Sequence, residues 1–308
     1  MVISSLDEME RFESRIKYSY NKICFHRINE EKVERVVAFW YGAPKEKACV
    51  IGGIQNERLL FPYSSPYTMV ETFKHCRNED YERVANEIDD FCRGNSIKET
   101  YIVFPPIIYD ETNITKCVSA FLREGYEVYE MGLNYQIEIG NEDEYKSRLL
   151  YNGRKNLKHA TGQNYLLSHC ETEEEKIEAY SIIEVNRKSK GYSLSMTWEE
   201  VNRTTKLMEN DFFVLRLDGK SVASAIVFGV TQSIRQVVYW GDVPGHENER
   251  PMNYLPYALH RYYSTQKGVR LLDIGPSMLD GKPNYSLCDY KESIGCSVSG
   301  KFVLRREY

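Results

Sequence analysis

The chain has 308 residues, which is long for one compact domain and typical of two. Hydrophobic residues make up 42% of it and charged residues 28%, a composition that excludes a chain disordered throughout. The net charge of −5 gives no electrostatic case for a dedicated nucleic-acid binder, and any such role would have to rest on a local basic patch.

Targeting and metal-binding signals are lacking in the sequence. The opening residues, MVISSLDEMERF, contain neither the basic segment nor the apolar core of a signal peptide. The longest apolar stretch, near residues 222–230, is far shorter than the roughly 20 residues of a membrane span. The eight cysteines form no C-x-x-C pair and the six histidines no H-x-x-x-H group. We therefore expect a soluble, cytoplasmic protein without a metal site.

One α/β pattern occurs twice along the chain. Each copy begins with antiparallel strands, continues through an amphipathic helix into a buried strand ended by proline, and closes with a short helix and a last strand. The prolines are Pro106 and Pro276, and the glycines before the last strands are Gly125 and Gly295. Proline and glycine are 19 positions apart in both copies, which are offset by 170 residues.

The repeat predicts an α/β (α+β) protein of two lobes. We place the N-terminal lobe at residues 1–140 and the C-terminal lobe at residues 165–308. Residues 141–164 join them and have helical character around 145–159, so they predict a basic connecting helix rather than a flexible linker. In the second copy, the dipeptide Asp218-Gly219 predicts a hairpin turn.

Short motifs in both copies resemble a known superfamily. Phe121, Gly125 and Tyr126 resemble the last motif of the GNAT (Gcn5-related N-acetyltransferase) fold, and in the second copy Lys291 stands four residues before Gly295. Two such copies, the second closing with LDIGPS and YKESIG, resemble the FemABX group and its GNAT-type relatives. The segment 154–162 also resembles the R-x-x-x-x-K-A stretch that this group carries between its halves.

The resemblance implies a fold and a reaction class. Each lobe would be a mixed, mostly antiparallel sheet with flanking helices and a parallel strand pair that splays apart, here Ile234–Asp242 and Leu271–Pro276. An acyl carrier binds in such a gap through unpaired backbone groups. The implied reaction is acyl or aminoacyl transfer from acetyl-CoA, another acyl-CoA or an aminoacyl-tRNA. The implied acceptor is an amine on a small molecule or on a cell-envelope or sugar-linked precursor.

Two departures distinguish the sequence from ordinary acetyl-CoA enzymes. Those enzymes carry Q/R-x-x-G-x-G/A after the first splayed strand, and its backbone amides cradle the pyrophosphate. The matching stretch here has Gly245 and Arg250 but no such glycine pair. The usual tyrosine acid is replaced by Lys291 in one copy and Phe121 in the other. Both departures favour the FemABX side, with the first lobe as an acceptor-binding or structural unit.

Four residues are candidates for the chemistry, each with an alternative. Lys291 would stabilise the developing oxyanion, or it is a solvated helix lysine. Asp273 would be a general base in an apolar strand, or the cap of the Gly-Pro turn. Asp242 would be the base, or a turn former before Val-Pro. Tyr285, in the loop after Pro276, is the remaining phenol for returning a proton.

Two further sets are candidates for binding. The donor set lies at the end of the first splayed strand and the start of the next helix: Trp240, Gly241, Gly245, Arg250, Asn253 and Tyr254. For Asn253 the alternative is a helix cap. The basic residues Arg154, Lys155 and Lys158 would bind a diphosphate-linked precursor or RNA, or would pair with the acidic block at 171–178. For the whole chain, the alternative is a non-catalytic relative that binds a ligand or partner in the cleft between its lobes. The oligomeric state is not predicted.

Overall fold

The chain forms two compact units. The structure is a computed structural model that describes residues 2–42, 45–279 and 281–308, with side chains from residue 5 onward. Unit 1 comprises Met1–Leu133 and Ser299–Tyr308, and unit 2 comprises Asn134–Val298.

The helices and strands are numbered in chain order. The α-helices are α1 (Leu6–Met9), α2 (Ile23–Arg27), α3 (Asn78–Gly94), α4 (Glu111–Arg123), α5 (Glu142–Arg148), α6 (Tyr151–Ala160), α7 (Glu173–Ser189), α8 (Trp198–Thr205), α9 (Pro251–Ser264) and α10 (Tyr285–Ser293). The strands are β1 (Val2–Ser4), β2 (Arg35–Tyr41), β3 (Ala48–Gln55), β4 (Arg58–Phe61), β5 (Glu71–Thr72), β6 (Glu99–Val103), β7 (Glu127–Glu138), β8 (Tyr165–His169), β9 (Asn210–Leu217), β10 (Lys220–Thr231), β11 (Ile234–Asp242), β12 (Leu271–Pro276), β13 (Met278–Leu279), β14 (Lys282–Pro283) and β15 (Ser297–Glu307). Short 3₁₀ helices lie at Glu10–Arg15, Ser19–Asn21, Glu30–Lys32 and Ile107–Tyr109.

Unit 1 is built on a mixed sheet covered by helices. Its strand order is β1-β2-β3-β4-β6-β15, with β5 on β3 and β7 beside β15. Strands β2, β3 and β4 are an antiparallel meander, and β4 runs parallel to β6. Helix α3 follows an amphipathic pattern and buries Tyr81, Val84 and Ile88 on one face.

Unit 2 repeats this plan. Its strand order is β7-β12-β11-β10-β9-β8, and the predicted hairpin joins β9 to β10 with positive φ at Asp218 and Gly219. Strands β11 and β12 are parallel and pair over only three positions, the last being Gln236 with Asp273. Beyond that position the register between β10 and β11 shifts, so Val238 is an extra residue that bends β11. The splayed pair predicted at Ile234–Asp242 and Leu271–Pro276, in the second lobe, is therefore confirmed.

The two copies end in the same local geometry. Gly125 and Gly295 both have φ of +87°, the left-handed conformation that ends helices. The amide of Tyr126 donates to the Phe121 carbonyl at 3.1 Å, and the amide of Cys296 donates to the Lys291 carbonyl at 3.1 Å. Phe121 and Lys291 thus occupy equivalent positions in the two units.

The division of the chain differs from the predicted boundaries at 140 and 165. Residues 134–138 of β7 pair with β12 and belong to unit 2, while β15 returns to pair with β6 in unit 1. Each half of the chain therefore gives part of its last strand, residues 134–138 of β7 and residues 299–307 of β15, to the other unit. Local sequence patterns do not encode this exchange, because it depends on long-range pairing.

The predicted connecting helix is two helices in the structure. Helix α5 ends before Leu149, which is buried and extended with ψ of 134°, and α6 begins at Tyr151. The Leu150 amide between them donates to the Ser293 carbonyl at 3.3 Å. Burial of Leu149 and this bond to α10 account for the break.

In unit 1, a neighbouring segment covers the edge of β6 where β4 ends. Phe61, the last residue of β4, still pairs with Ile102, and the Thr68 amide then donates to the Val103 carbonyl at 2.8 Å. The residues around Thr68, from Tyr67 to Val70, are buried. This segment therefore covers the edge of β6 beyond the end of β4, whereas β12 in unit 2 has no paired strand among the described residues at the equivalent edge.

The close contact of α6 with α10 gives a test of the packing. A Cβ added at Gly153 would lie 1.7 Å from the Ser293 carbonyl oxygen. We expect Gly153→Ala to lower the free energy of unfolding by about 3 kcal/mol or more, as overpacking at a rigid backbone does. Urea denaturation measures it. Gly94→Ala, at a helical glycine with no atom within 4 Å of an added Cβ, is the control and should be neutral or slightly stabilising. Equal stabilities for the two variants would contradict the packing.

Candidate acyl-transfer site

Asp273 lies where the two strands part. It is the last residue of β12 paired with β11, and it is only 1% exposed. Its Oδ1 accepts hydrogen bonds from Asn134 Nδ2 at 2.6 Å and from the Gly275 amide at 2.9 Å, and its Oδ2 accepts one from Gln236 Nε2 at 3.3 Å. The bond from Gly275 is the cap that the sequence offered as the alternative to a general base.

Lys291 holds the end of the same strand from the other side. Its side chain is buried, with the residue 3% exposed, and Nζ donates to the carbonyl oxygens of Ile274 at 3.2 Å, Gly275 at 2.9 Å and Pro276 at 3.0 Å. These bonds occupy all three ammonium protons. Burial lowers the pKa of Lys291 to about 8. The alternative of a solvated helix lysine is therefore wrong.

A local irregularity explains why three successive carbonyls reach one ammonium. Opposite β7, the pairing shifts between Asp273 and Gly275, so that Ile274 is an extra residue. Gly275 has φ of +81°, a conformation that L side chains rarely adopt. The bulge and the glycine together turn the carbonyls of residues 274–276 toward Lys291.

The groups around Lys291 are mainly uncharged. The ring of Tyr135 lies 5.4 Å from Nζ and offers a cation–π contact. Burial raises the pKa of both Tyr135 and Cys296, so both stay protonated at neutral pH. The ammonium therefore has the strand carbonyls as its direct partners, with Asp273 favouring its charged form.

Asp242 ends β11 in a different environment. It is half-buried, and Asn186 Nδ2 on α7 donates to its backbone oxygen at 2.7 Å and to its Oδ1 at 3.0 Å. Burial raises the pKa of Asp242, and the charge of Lys190 opposes that shift. A Cβ at Gly241 would lie 2.7 Å from Asn186, so the glycine permits this approach. Asp242 thus combines a raised pKa with partial access to solvent.

Two aromatic members of the predicted donor set pack on other aromatic residues. Trp240 lies with its ring 6.4 Å from that of Tyr290, whose hydroxyl donates to the Met252 carbonyl. Tyr254 stacks on Tyr165 at 4.7 Å. These contacts place Trp240 beside α10 and Tyr254 beside β8.

The start of α9 offers few free amides to a phosphate. Arg250 is the N-cap in a left-handed conformation, and Pro251 has no N–H. The Asn253 amide already donates to the Arg250 carbonyl at 3.0 Å. Asn253 is buried inside the helix, so its predicted alternative as a cap is wrong. Gly245 is an exposed turn residue with φ of +96°.

Tyr285 is not in a loop. It is the first residue of α10, because Asn284 caps the helix by accepting from the Leu287 amide at 3.2 Å. The Tyr285 side chain is 75% exposed. The segment before it contains the β13–β14 hairpin. A role for Tyr285 in proton return stays a prediction.

The basic residues of α6 face solvent. Arg154, Lys155 and Lys158 are exposed, while Gly153 and Leu157 form the buried face of the helix. Within residues 5–42, 45–279 and 281–308, none of the three makes an ion pair. The alternative in which they pair with the acidic block at 171–178 is therefore not supported.

The structure brings Asp273 and Lys291 together on one strand end and adds residues that the sequence did not single out. These are Asn134, Gln236 and Asn186, all buried amides that bond to the candidate carboxylates. Their only sequence signal is an amide set among apolar neighbours in a strand or helix.

The described residues show neither a metal centre nor a membrane-spanning helix. They contain no group of three or more His, Cys, Asp or Glu side chains arranged to hold a metal ion. None of the helices they form is long and apolar enough to cross a membrane.

Comparison with known proteins places this geometry in a fold family. No protein-family model and no curated protein sequence matches the chain. Among solved structures, FemX matches with a TM-score of 0.70 at 10% identity, over 100% of this chain and 98% of FemX. The chain has a GNAT-like fold resembling that of the FemABX group.

Two further structures match this FemABX-like fold. L-PGS from Bacillus licheniformis has a TM-score of 0.59 at 13% identity, over 97% of this chain and 91% of that one. The C-terminal domain of a putative lysylphosphatidylglycerol synthetase from Agrobacterium fabrum has a TM-score of 0.60 at 12% identity, over 99% and 93%. At these identities the matches establish the shared fold.

The buried lysine gives a pH test of the site. The pKa of Lys291 is about 8 in the folded chain against 10.5 for an ordinary lysine, so between these values the unfolded state binds more protons. We expect the free energy of unfolding of the wild type, relative to Lys291→Met, to rise by about 3 kcal/mol from pH 8 to 10.5. Chemical denaturation across this range measures it. Lys155→Met, at an exposed lysine, is the matched control, and a difference for Lys291→Met that stays flat or falls with pH would contradict the assignment.

Proposed function

We propose that the chain is an acyltransferase that moves an acyl or aminoacyl group onto an amine. The single observation that carries the proposal is the early end of β11–β12 pairing, after only three positions, in a FemABX-like fold. The gap leaves strand edges to which an acyl carrier can hydrogen-bond. The acceptor we propose is a small molecule or a cell-envelope or sugar-linked precursor with a primary amine.

Asp242 is the general base of the proposed reaction. The acceptor nitrogen attacks the donor carbonyl, an N–C bond forms, and the bond from carbonyl carbon to the carrier oxygen or sulfur breaks. Asp242 takes the proton from the nitrogen, and its raised pKa suits it to this role. The carrier leaves with a proton from solvent or from the exposed phenol of Tyr285. Placement of donor and acceptor in one cleft supplies much of the rate.

The start of α9 supports an aminoacyl-tRNA donor over an acyl-CoA. Pro251 and the bonded Asn253 amide leave little of the backbone cradle that a CoA pyrophosphate needs. The exposed cations Arg154, Lys155 and Lys158 are available for a donor or acceptor phosphate. An acyl-CoA donor remains the alternative within the same reaction class, with Trp240, Gly241, Gly245, Arg250 and Tyr254 nearest to its expected path.

One observation favours a second function, in which a non-catalytic relative holds a ligand. All three protons of Lys291 are occupied by strand carbonyls, so none is left for an oxyanion. A binder would use the same gap without needing Asp242 to ionise.

The donor test is direct. Purified chain is incubated with a panel of labelled aminoacyl-tRNAs and acyl-CoAs and with amine acceptors, and transfer is followed by mass spectrometry. The proposal expects transfer with one donor class. Binding of a donor without transfer would favour the second function, and neither binding nor transfer with any donor would contradict both.

Asp242→Asn tests the base. We expect kcat to fall by about 10²-fold or more, because the amide cannot accept the proton, with the melting temperature little changed. Asp289→Asn, at an exposed aspartate of α10, is the matched control and should keep full activity. Unaltered kcat in Asp242→Asn would rule out the proposed role.

A further inference from the structure

Four buried polar side chains meet at the point where β11 and β12 separate. Asn134 on β7, Gln236 on β11 and Asp273 on β12 are joined by hydrogen bonds, and Lys291 on α10 binds the next three carbonyls of β12. We call these four residues the polar lock. We propose that the polar lock fixes where the gap opens, and that Asn134, Gln236 and Asp273 act as positioning residues for transfer. This rests on the proposed function.

The lock acts on both sides of one stretch of backbone. The Gly275 amide donates to the Asp273 carboxylate, and Lys291 Nζ donates to the carbonyl oxygens of residues 274–276. Residues 274–276 have no paired residue on β11, and the bulge leaves Ile274 unpaired with β7 as well. A buried backbone group without a partner is costly. The two charged side chains therefore set the path of β12 beyond its last pair with β11.

Unit 1 shows that the fold does not need these charges. At the offset of 170 residues, Asp273 matches Val103, Ile274 matches Phe104, and Lys291 matches Phe121. Phe104 and Phe121 are fully buried and pack at 6.0 Å with their rings at 74°. In that unit the β4–β6 ladder ends at Phe61 and Ile102, and the Thr68 amide then donates to the Val103 carbonyl.

The comparison separates positioning from stability. Buried charges have a high desolvation cost, and apolar residues of similar volume often replace them with no loss of stability. Unit 1 makes that replacement, and there the segment around Thr68 bonds to β6 beyond the end of β4. The charged version occurs in the unit whose strands splay, so its role is tied to the gap.

The link between Gln236 and Asp273 marks the separation itself. These two residues form the last backbone pair of β11 and β12, and their side chains are also bonded to each other. Asn134 fixes the same carboxylate from the other neighbouring strand. Three adjacent strands are thus held in register at the start of the gap.

A transposed pair tests the lock. Gln236→Glu alone sets two buried carboxylates against each other, and we expect kcat to fall by about tenfold or more with donor KM little changed. Adding Asp273→Asn moves the carboxylate to β11. The new amide oxygen on β12 can still accept from Asn134 and Gly275, and its NH₂ group can donate to the carboxylate introduced on β11. We expect the double variant to recover kcat to within about threefold of the wild type.

Hydrogen exchange of the Gly275 amide is the second readout and needs no turnover. Protection should be lost in Gln236→Glu and recovered in the double variant. A double variant that regains protection but stays inactive would show that the Asp273 carboxylate itself does chemistry, and would overturn the proposal. The proposal would also be overturned if Gln236→Glu kept the wild-type kcat and the wild-type protection of the Gly275 amide. Failure of the double variant to recover either quantity would overturn it too.

The proposed function is judged separately, on the wild-type chain with the donor panel. Its failure appears before any variant is compared. The polar lock fails if the folded variants do not show loss of Gly275 amide protection in Gln236→Glu and its recovery in the double variant.

Discussion

The early end of the ladder between β11 and β12 is the constraint on which the site depends. Two parallel strands that stop pairing inside a sheet leave backbone donors and acceptors that must find other partners. Strand β12 meets this requirement with the Asp273 carboxylate and the Lys291 ammonium, through bonds of 2.9 to 3.2 Å to residues 274–276. The separation of β11 and β12 is therefore accommodated in the folded sheet, because the Asp273 and Lys291 side chains bond to backbone groups that β11 does not reach.

The two units share one order of helices and strands but differ in what covers the edge of the buried strand. Both have a meander, a helix, a buried strand and a helix ended by a glycine at φ of +87°. In unit 1, Thr68 extends the pairing of β6 after β4 ends, and Phe121 fills the position of Lys291 with apolar volume. Because this edge of β6 is covered, unit 1 has apolar side chains at the positions of Asp273 and Lys291. We therefore propose that the chemistry takes place in unit 2, where the pairing of two neighbouring strands ends early. The first lobe would serve as structure or as a surface for the acceptor.

Much of this fold was predictable from local patterns. The glycines 125 and 295, the prolines that end β6 and β12, and the Asp218-Gly219 turn each demand a particular backbone conformation, so they signal structure over a few residues. The exchange of β7 and β15 between units was not predictable, since strand pairing over more than a hundred residues leaves no local mark.

The same limit applies to the site. Lys291 was identified from its motif, yet its burial depends on a bulge at Ile274 that only the register reveals. Asn134 and Gln236 were missed, because a single amide in an apolar strand does not show which carboxylate it will face. The sequence also allows Asn253 to cap the helix that follows it. In the structure the left-handed Arg250 is the cap, so the helix begins three residues earlier.

The structure separates two carboxylates that the sequence left as rival bases. Asp273 is almost fully buried and already accepts from Asn134, Gln236 and the Gly275 amide, so protonating it would disrupt the bonds that hold β12. Asp242 is half-buried at the end of β11, and one amide side chain, that of Asn186, orients it. A base must reach the acceptor and release its proton afterwards, and of the two only Asp242 can do so without loosening the sheet. The two residues therefore divide the proposed work, with Asp273 fixing the gap and Asp242 acting within it.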